Sequence, residues 1–391
     1  MKITNVRHVS APLASEMSNA FINFRTMTTN VVAVETDVVR NGETVIGYGF
    51  SSNGRYAQPG LLKSRFLPRL HEADPKSLLD ETGENFSPQS VWTTLMSNEK
   101  PGGHGERSYC MGALDTAIWD AHGKIAGKPL WEILSERHNG GAYDEKVLVY
   151  PGGGYYNPGK DVETLRAEMR GYRERGYRIC KMKIGAASLT DDMKRVEAAV
   201  DELGSGENLA VDANGRFALG EAIEFGKAIE SMKLAWYEEP GDPLDYHLNA
   251  ELIQNYSGAI ATGENLFSHQ DMNNLLRFGG MRPEVDWVQP DPTLCYGLTE
   301  NLVMLEQAVK LGWSRRRFLP HGGHQIGLHM ASGLQLGGTE SYPGVFAPYG
   351  GFADGIPVVE GYVTLPQDQP GIGMELKPKL MDEMRRVLEL S

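Results

Sequence analysis

Six polar residues recur at nearly even intervals through the middle of this 391-residue chain: Lys183, Asp212, Glu238, Glu264, Asp291 and His321. The gaps are 29, 26, 26, 27 and 30 residues. Each residue ends a short apolar run, and each run soon gives way to Gly, Asn, Pro or Ser and then to a helical pattern. Strands alternating with helices imply a parallel sheet. An open, doubly wound sheet would spread the ends of six successive strands. A closed barrel gathers them on one rim, and that is the rim where such barrels do chemistry. The spacing therefore predicts a barrel over residues 141–354 with all six side chains at its mouth.

The expected barrel strands are 147–150, 178–184, 209–212, 234–238, 259–262, 286–289 and 318–319. Residues 1–140 lack the repeat. They hold strand-like runs at 3–9, 29–36 and 45–50, with Asn41-Gly42 a strong hairpin signal between the last two. A helix is expected over 108–125, stopped by Gly127-Lys128-Pro129. Strands followed by helices suggest an α+β domain. The tail, 355–391, holds short strand-like runs at 357–359 and 362–365 that are expected to return to the first domain.

Bulk properties exclude several classes. The chain is 41 % apolar and 23 % charged, as a globular protein is. Its net charge is −13, and no basic block exceeds Arg315-Arg316-Arg317, so no nucleic-acid partner is expected. Three scattered cysteines (Cys110, Cys180, Cys295) argue for a reducing compartment rather than a disulfide framework. The N-terminal segment lacks the apolar core of a signal peptide, and no 18-residue apolar run occurs. A cytoplasmic location with no membrane partner is expected. An acidic chain of this kind needs a local cation to hold an anionic substrate.

The strand-end residues suggest the chemistry. Lys181 and Lys183 are two apart, so on a strand they share one face, which in a barrel is the interior. Mutual repulsion and burial are expected to lower their pKa and to make Lys183 a usable general base. The competing reading is an exposed edge strand with two solvated lysines. Asp212, Glu238 and Glu264 end consecutive strands, where three converging carboxylates would repel. A divalent cation removes that conflict, and all-oxygen ligation favours Mg²⁺ over Zn²⁺. One of the three could instead stabilise a helix N-terminus. Glu239 and Asn214 are expected to support the ligands. Asp291 and His321 form a candidate dyad facing Lys183, in which the carboxylate fixes the imidazole tautomer. The rivals are a zinc site from His321, His324 and His329, of which the last two are expected to point elsewhere, and a core histidine. Glu340, the last strand-end acid, is a candidate to bind substrate. Together these groups can remove the proton beside a carboxylate.

These residues resemble the enolase superfamily, specifically its mandelate racemase subgroup, over essentially the whole chain. A Lys or His base working with Mg²⁺ is the worked example of that superfamily in general enzymology. The resemblance implies a modified (β/α)8 barrel, (β/α)7β, with an N-terminal α+β capping domain completed by the C-terminal tail. It implies Asp212, Glu238 and Glu264 as metal ligands, Lys183 of the Lys181-Met182-Lys183 motif as base, and Asp291–His321 as the opposing acid or base. The stretches 52–56, 98–108, 212–217, 263–270 and 320–325 are similar to the tartrate dehydratases of that subgroup. Pro240, Pro290, Pro292 and Thr293 depart from the expected pattern. The expected activity is Mg²⁺-dependent dehydration of a hydroxy diacid or acid sugar, with tartrate giving oxaloacetate. The alternatives are a racemase or epimerase of a 2-hydroxy acid, or dehydration of a different acid sugar. Lys181 and the metal would hold the reacting carboxylate. Asn53, Arg55, Lys100, Asn214 and Glu340 are the candidate substrate-binding residues. The expected partner is a small hydroxy acid, and the chain is expected to form a homo-oligomer.

Overall fold

The computed structural model describes residues 1–391 apart from 14, 53–55, 157, 158, 160, 354 and 391. Strands β1 (Ile3–Pro12), β2 (Thr28–Arg40) and β3 (Glu43–Phe50) form an antiparallel sheet in sequential order. Asn41 and Gly42 both have positive φ, 52° and 84°, as the tight β2–β3 turn requires. The helix Glu106–Ala126 lies across this sheet and ends on Gly127 in the left-handed region. The approach is close because β3 presents Gly47 and Gly49 to it. A Cβ on either would collide with the helix carbonyls of Ala117 or Ala113.

The second unit is a curled parallel sheet. Its strands are β4 (Lys146–Gly153), β5 (Cys180–Lys183), β6 (Leu209–Asp212), β7 (Trp236–Glu238), β8 (Ile260–Thr262), β9 (Trp287–Val288) and β10 (Thr339–Ser341). They pair in chain order from β4 to β9, and β10 pairs with β4. The run expected as a strand at 318–319 makes only one bridge, Val288 to Phe318. Four further backbone hydrogen bonds span the gap: Leu319 N to Val288 O at 2.9 Å, His321 N to Pro290 O at 3.2 Å, Gly337 N to Phe318 O at 2.9 Å and Glu340 N to Pro320 O at 3.1 Å. The pairing is short here because Pro290 and Pro320 end these runs and have no N–H to give. The ring has eight positions, as the (β/α)7β expectation requires.

Strand alternation sorts the residues. Cys180, Met182 and Val211 pack outward under the helices in the main core. Tyr150, Ala210, Trp236, Ala261 and Leu319 fill the barrel interior. Lys183 pairs in register with Asp212, and Asp212 with Glu238, so these tips are level.

The tail differs from expectation. Strand β11 (Tyr362–Thr364) pairs antiparallel with β4 of the barrel, not with the first domain. The run at 357–359 contributes only a Val359–Tyr362 bridge. Further on the tail does return to the long helix: Ile372 N donates to Asp120 Oδ1 at 2.8 Å, and Glu375 pairs with Lys124 at 2.6 Å. No helix among the described residues is long and apolar enough to cross a membrane.

Candidate active site

Asp212 and Glu238 are the last residues of β6 and β7, and Glu264 follows β8 by two residues. Each offers a carboxylate oxygen, and these oxygens lie within 4.8 Å of one another. The turn that presents Glu264 depends on Gly263, whose φ of +139° few other residues adopt. Asp212 and Glu238 are fully buried. Burial works against the charge on Asp212, but Lys183 and Lys181 outweigh it and hold that carboxyl below its ordinary range. Glu238 goes the other way. Burial, with Asp212, Glu340 and Glu264 nearby, pushes it up to about 8 despite Lys181.

The two lysines are interior, so the edge-strand reading fails. Lys181 is held by Glu238, by Glu340 Oε1 at 2.9 Å and by Asp212 Oδ2 at 3.4 Å. Lys183 pairs with Asp212, and its ammonium sits 5.5 Å from the Tyr155 ring centroid. The expected lowering of lysine pKa is overturned. Burial does act to lower both, yet the facing carboxylates outweigh it and raise both above the ordinary lysine value. Like-charge repulsion is the smaller effect: for Lys183 the Asp212 carboxylate outweighs Lys181.

Charge counting tests whether a cation fits. Asp212, Glu238, Glu264, Glu340 and Asp291 face Lys181, Lys183 and His321. A sixth buried acid, Glu239, is pushed well above its ordinary range by burial and by Glu264 and stays out of the count; the other five outnumber the bases by two, which adds to burial in resisting ionisation of Glu238. A dication at the three converging oxygens would balance the cluster. Asn214 Oδ1 is buried without a hydrogen bond, and the buried Glu264 Oε2 has only its ion-pair contact with His321, so both leave lone pairs on the same side. The residues present fit Mg²⁺, and Asp212, Glu238 and Glu264 would hold it.

His321 Nδ1 lies 2.7 Å from Asp291 Oδ2, as expected for the dyad. Its Nε2 faces Glu264 Oε2 at 3.1 Å, Tyr342 Oη at 3.2 Å and Glu340 Oε2 at 3.5 Å. Burial disfavours the imidazolium, but Glu264, Glu340 and Asp291 together raise its pKa to about 10. His321 therefore holds its proton at neutral pH. His329 does point elsewhere, toward Trp131 N and Ile372 O. His324 does not: its Nε2 reaches Ser52 Oγ at 2.5 Å, beside Asp291. No zinc cluster forms, and Asp212, Glu238 and Glu264 are the one metal-competent group among the described residues.

A cavity of about 100 Å³ brings the groups together. Lys183, His321, Glu264, Asn214 and Glu239 line it, and Asn265 anchors the buried Glu239 carboxylate at 2.9 Å. The segment 19–24 covers it, pinned to the barrel by Tyr156 N donating to Ser18 O at 3.0 Å. Phe24 packs on Phe346 with centroids 4.8 Å apart and on Tyr155 at 6.2 Å. This covering segment, together with Tyr155, Tyr342 and Phe346, was missed by sequence reasoning, which finds no period or motif there; Ser52 opens the stretch 52–56 singled out above but was given no role. Of the substrate-binding candidates, Asn214 lines the cavity, and Glu340 sits between Lys181 and His321. Lys100 is exposed and outside the cavity lining, with its carbonyl accepting from Arg107. Asn53 and Arg55 lie outside the described residues.

Known proteins resemble this chain in sequence and fold. The family model described as enolase C-terminal domain-like matches residues 164–380. The arabinonate dehydratase of Saccharolobus solfataricus is 30 % identical over 278 residues, 70 % of this chain and 71 % of that protein. The 3,6-anhydro-alpha-L-galactonate cycloisomerase of Streptomyces coelicolor is 31 % identical over 294 residues, 74 % of each. A crystal structure of L-talarate dehydratase from Polaromonas sp. JS666, complexed with Mg and L-glucarate, matches with a TM-score of 0.73 at 26 % identity. The match covers 95 % of this chain and 94 % of that one.

Proposed function

This chain belongs to the enolase superfamily, and on that premise we propose that it is a Mg²⁺-dependent dehydratase of a hydroxy acid, with a tartrate as substrate and oxaloacetate as product. The observation that carries the reading is that Lys183 and His321, on non-adjacent strand positions, line one cavity together with Glu264. Lys183 takes the proton α to the substrate carboxylate. Lys181, fixed between Glu238 and Glu340, stands by as a cation for that carboxylate. His321, charged and oriented by Asp291, gives its proton to the β-hydroxyl, which leaves as water. The enol product then tautomerises to a 2-oxo acid. When bound, Mg²⁺ supplies positive charge where the carboxylate oxygens gain electron density, and it takes up acid charge that otherwise holds Lys183. The covering segment 19–24 excludes bulk water from the transfer.

Two features support a four-carbon diacid. The stretches 52–56 and 98–108 are similar to tartrate dehydratases. The cavity is also small beside the usual ligand pocket of roughly 300–1,000 Å³. A second reading rests on the rest of the lining. Beyond Lys183 and His321, the described residues supply no cation there; the rest of the lining pairs neutral polar groups such as Asn19, Asn214 and Asn265, and the acids Glu239 and Glu264, with an apolar wall of Phe21, Ile22, Phe24, Leu294 and Phe346. That wall suits an acid sugar whose far end is uncharged. The relatives' printed activities, on arabinonate and on an anhydrogalactonate, agree with it.

The test is a screen of the protein with Mg²⁺ against tartrate isomers, aldarates and aldonates, scored for 2-oxo acid. Product from a tartrate is expected. Product from aldonates alone moves the substrate to the second reading. Deuterium exchange at the α-carbon of every acid turned over, with no loss of water, replaces the dehydratase by a racemase.

A further inference from the structure

We propose that Ser52 is a positioning residue for the leaving-group side of this site, locking the Asp291 carboxylate in the orientation that aims His321 Nε2 into the cavity. The proposal rests on the dehydratase reading for its kinetic consequences, but its geometry stands alone.

Ser52 follows β3 of the antiparallel sheet and lines the active-site cavity. Its Oγ lies 2.6 Å from Asp291 Oδ2, 2.8 Å from Thr293 Oγ1 and 2.5 Å from His324 Nε2. Its N donates to Thr293 Oγ1 at 2.8 Å. Asp291 Oδ1 accepts from Thr293 N at 2.6 Å, Thr293 Oγ1 at 3.0 Å and Leu294 N at 3.0 Å. These three bonds come from the barrel itself and fix one end of the carboxylate. Oδ2, the end that holds His321 Nδ1, is fixed from outside the barrel by Ser52.

Counting protons gives the row a direction. The Thr293 hydroxyl has one proton, and Asp291 Oδ1 takes it. The Ser52 hydroxyl then chooses between Thr293 Oγ1, already an acceptor, and an ionised carboxylate oxygen, and the charge-assisted bond is the stronger. With that proton committed, His324 must donate to Ser52, so it is the Nε2–H tautomer. Burial keeps His324 neutral, with its pKa pushed down to about 4. The row reads His324 Nε2–H to Ser52 Oγ, Ser52 Oγ–H to Asp291 Oδ2, and His321 Nδ1–H to the same Oδ2. Removing the Ser52 hydroxyl strips one of the two donors from Oδ2 and leaves a buried N–H of His324 with no acceptor. Lys183 is carried by β5, where its ammonium meets Asp212 and Tyr155. The two half-reactions should therefore separate.

The experiment compares wild type, Ser52→Ala and Ser52→Thr with Mg²⁺ in D2O, using whichever acid yields 2-oxo acid. Substitutions that orient a catalytic group at one remove typically cost about 10- to 100-fold. Ser52→Ala should lose that much in kcat with KM nearly unchanged, while α-deuterium wash-in persists, and Ser52→Thr should restore turnover. Equal loss of exchange and dehydration, or loss confined to KM, overturns the proposal. A second readout needs no turnover: imidazole ¹⁵N spectra with Mg²⁺ present. Ser52→Ala should move the His321 and His324 signals and leave those of His329 in place. Unmoved His321 signals overturn the proposal whatever the substrate. A wild type that dehydrates nothing, yet shows these shifts, counts against the dehydratase reading alone.

Discussion

At the residue scale the site is a problem in charge balance. Asp212 serves two lysines at once, and Glu238 is held short of full ionisation by its neighbours. Lys183 is the group whose loss should cost chemistry most. Lys183→Ala is expected to lower kcat by about 10²- to 10⁴-fold, the usual worth of a general base. Steady-state assays check the loss, and a retained Mg²⁺-dependent rise in Tm checks that the cradle survives. That rise is itself a prediction. At a Mg²⁺ concentration of 100 Kd, binding to the folded chain alone adds about 2.7 kcal/mol of stability. EDTA should reverse it, and Glu264→Gln, which removes one of the three converging carboxylates, should shift the titration to higher Mg²⁺ by calorimetry. An unchanged Mg²⁺ affinity in Glu264→Gln would take this residue out of the ligand set.

At the element scale, strand ends decide where each acid stands. Gly263 turns β8 into the Glu264 loop, and a Cβ there would come within 2.9 Å of Gln289 N on the neighbouring strand end. Gly263→Ala should cost about 1–3 kcal/mol through backbone strain and displace Glu264. Urea unfolding and Mg²⁺ titration should therefore weaken together, and a loss of stability with full metal affinity would refute the link. The strands were legible because each apolar run stops at a polar tip, and β6 falls where its run was read. β5 and β7 came out shorter than their runs, and β9 and the run at 318–319 shrank most, at prolines whose missing N–H groups were visible in the sequence but not weighed. The metal cradle and dyad were legible from period and residue type. Ser52 and His324 were not, because contacts to Asp291 and Ser52 join residues 239 and 272 apart with no repeat to align them. The direction of the lysine shift was misread for a related reason: pairing across the barrel, not along one strand, sets the field.

At the scale of the whole molecule, buried histidines tie distant segments together and make stability depend on pH. His329 Nδ1 accepts from Trp131 N at 3.1 Å, and Nε2–H donates to Ile372 O at 3.0 Å. It joins the helix Gln325–Gly333 to the helix Leu130–His138 and to the tail. Burial lowers its pKa to about 4, against about 6.5 when unfolded. Its contribution is thus present above pH 6.5 and is lost as pH falls through 4, because the unfolded chain takes up a proton that the folded one refuses. Urea unfolding between pH 7 and pH 4 should show stability falling, and His329→Gln should flatten that slope. An identical slope in the variant would remove His329 as a source. His122 and His324, also pushed down to about 4, act with the same sign. The barrel's first strand has a longer reach still. β4 takes its partners on one flank from Thr339–Ser341 and Tyr362–Thr364. A ribosome making this chain releases β4 long before either partner exists. The nascent barrel therefore stays open, with bare backbone donors and acceptors on that flank, until residues 339–364 have been made. Closure waits for those residues, and the interval before it is when the open flank of β4 is most exposed to wrong pairing.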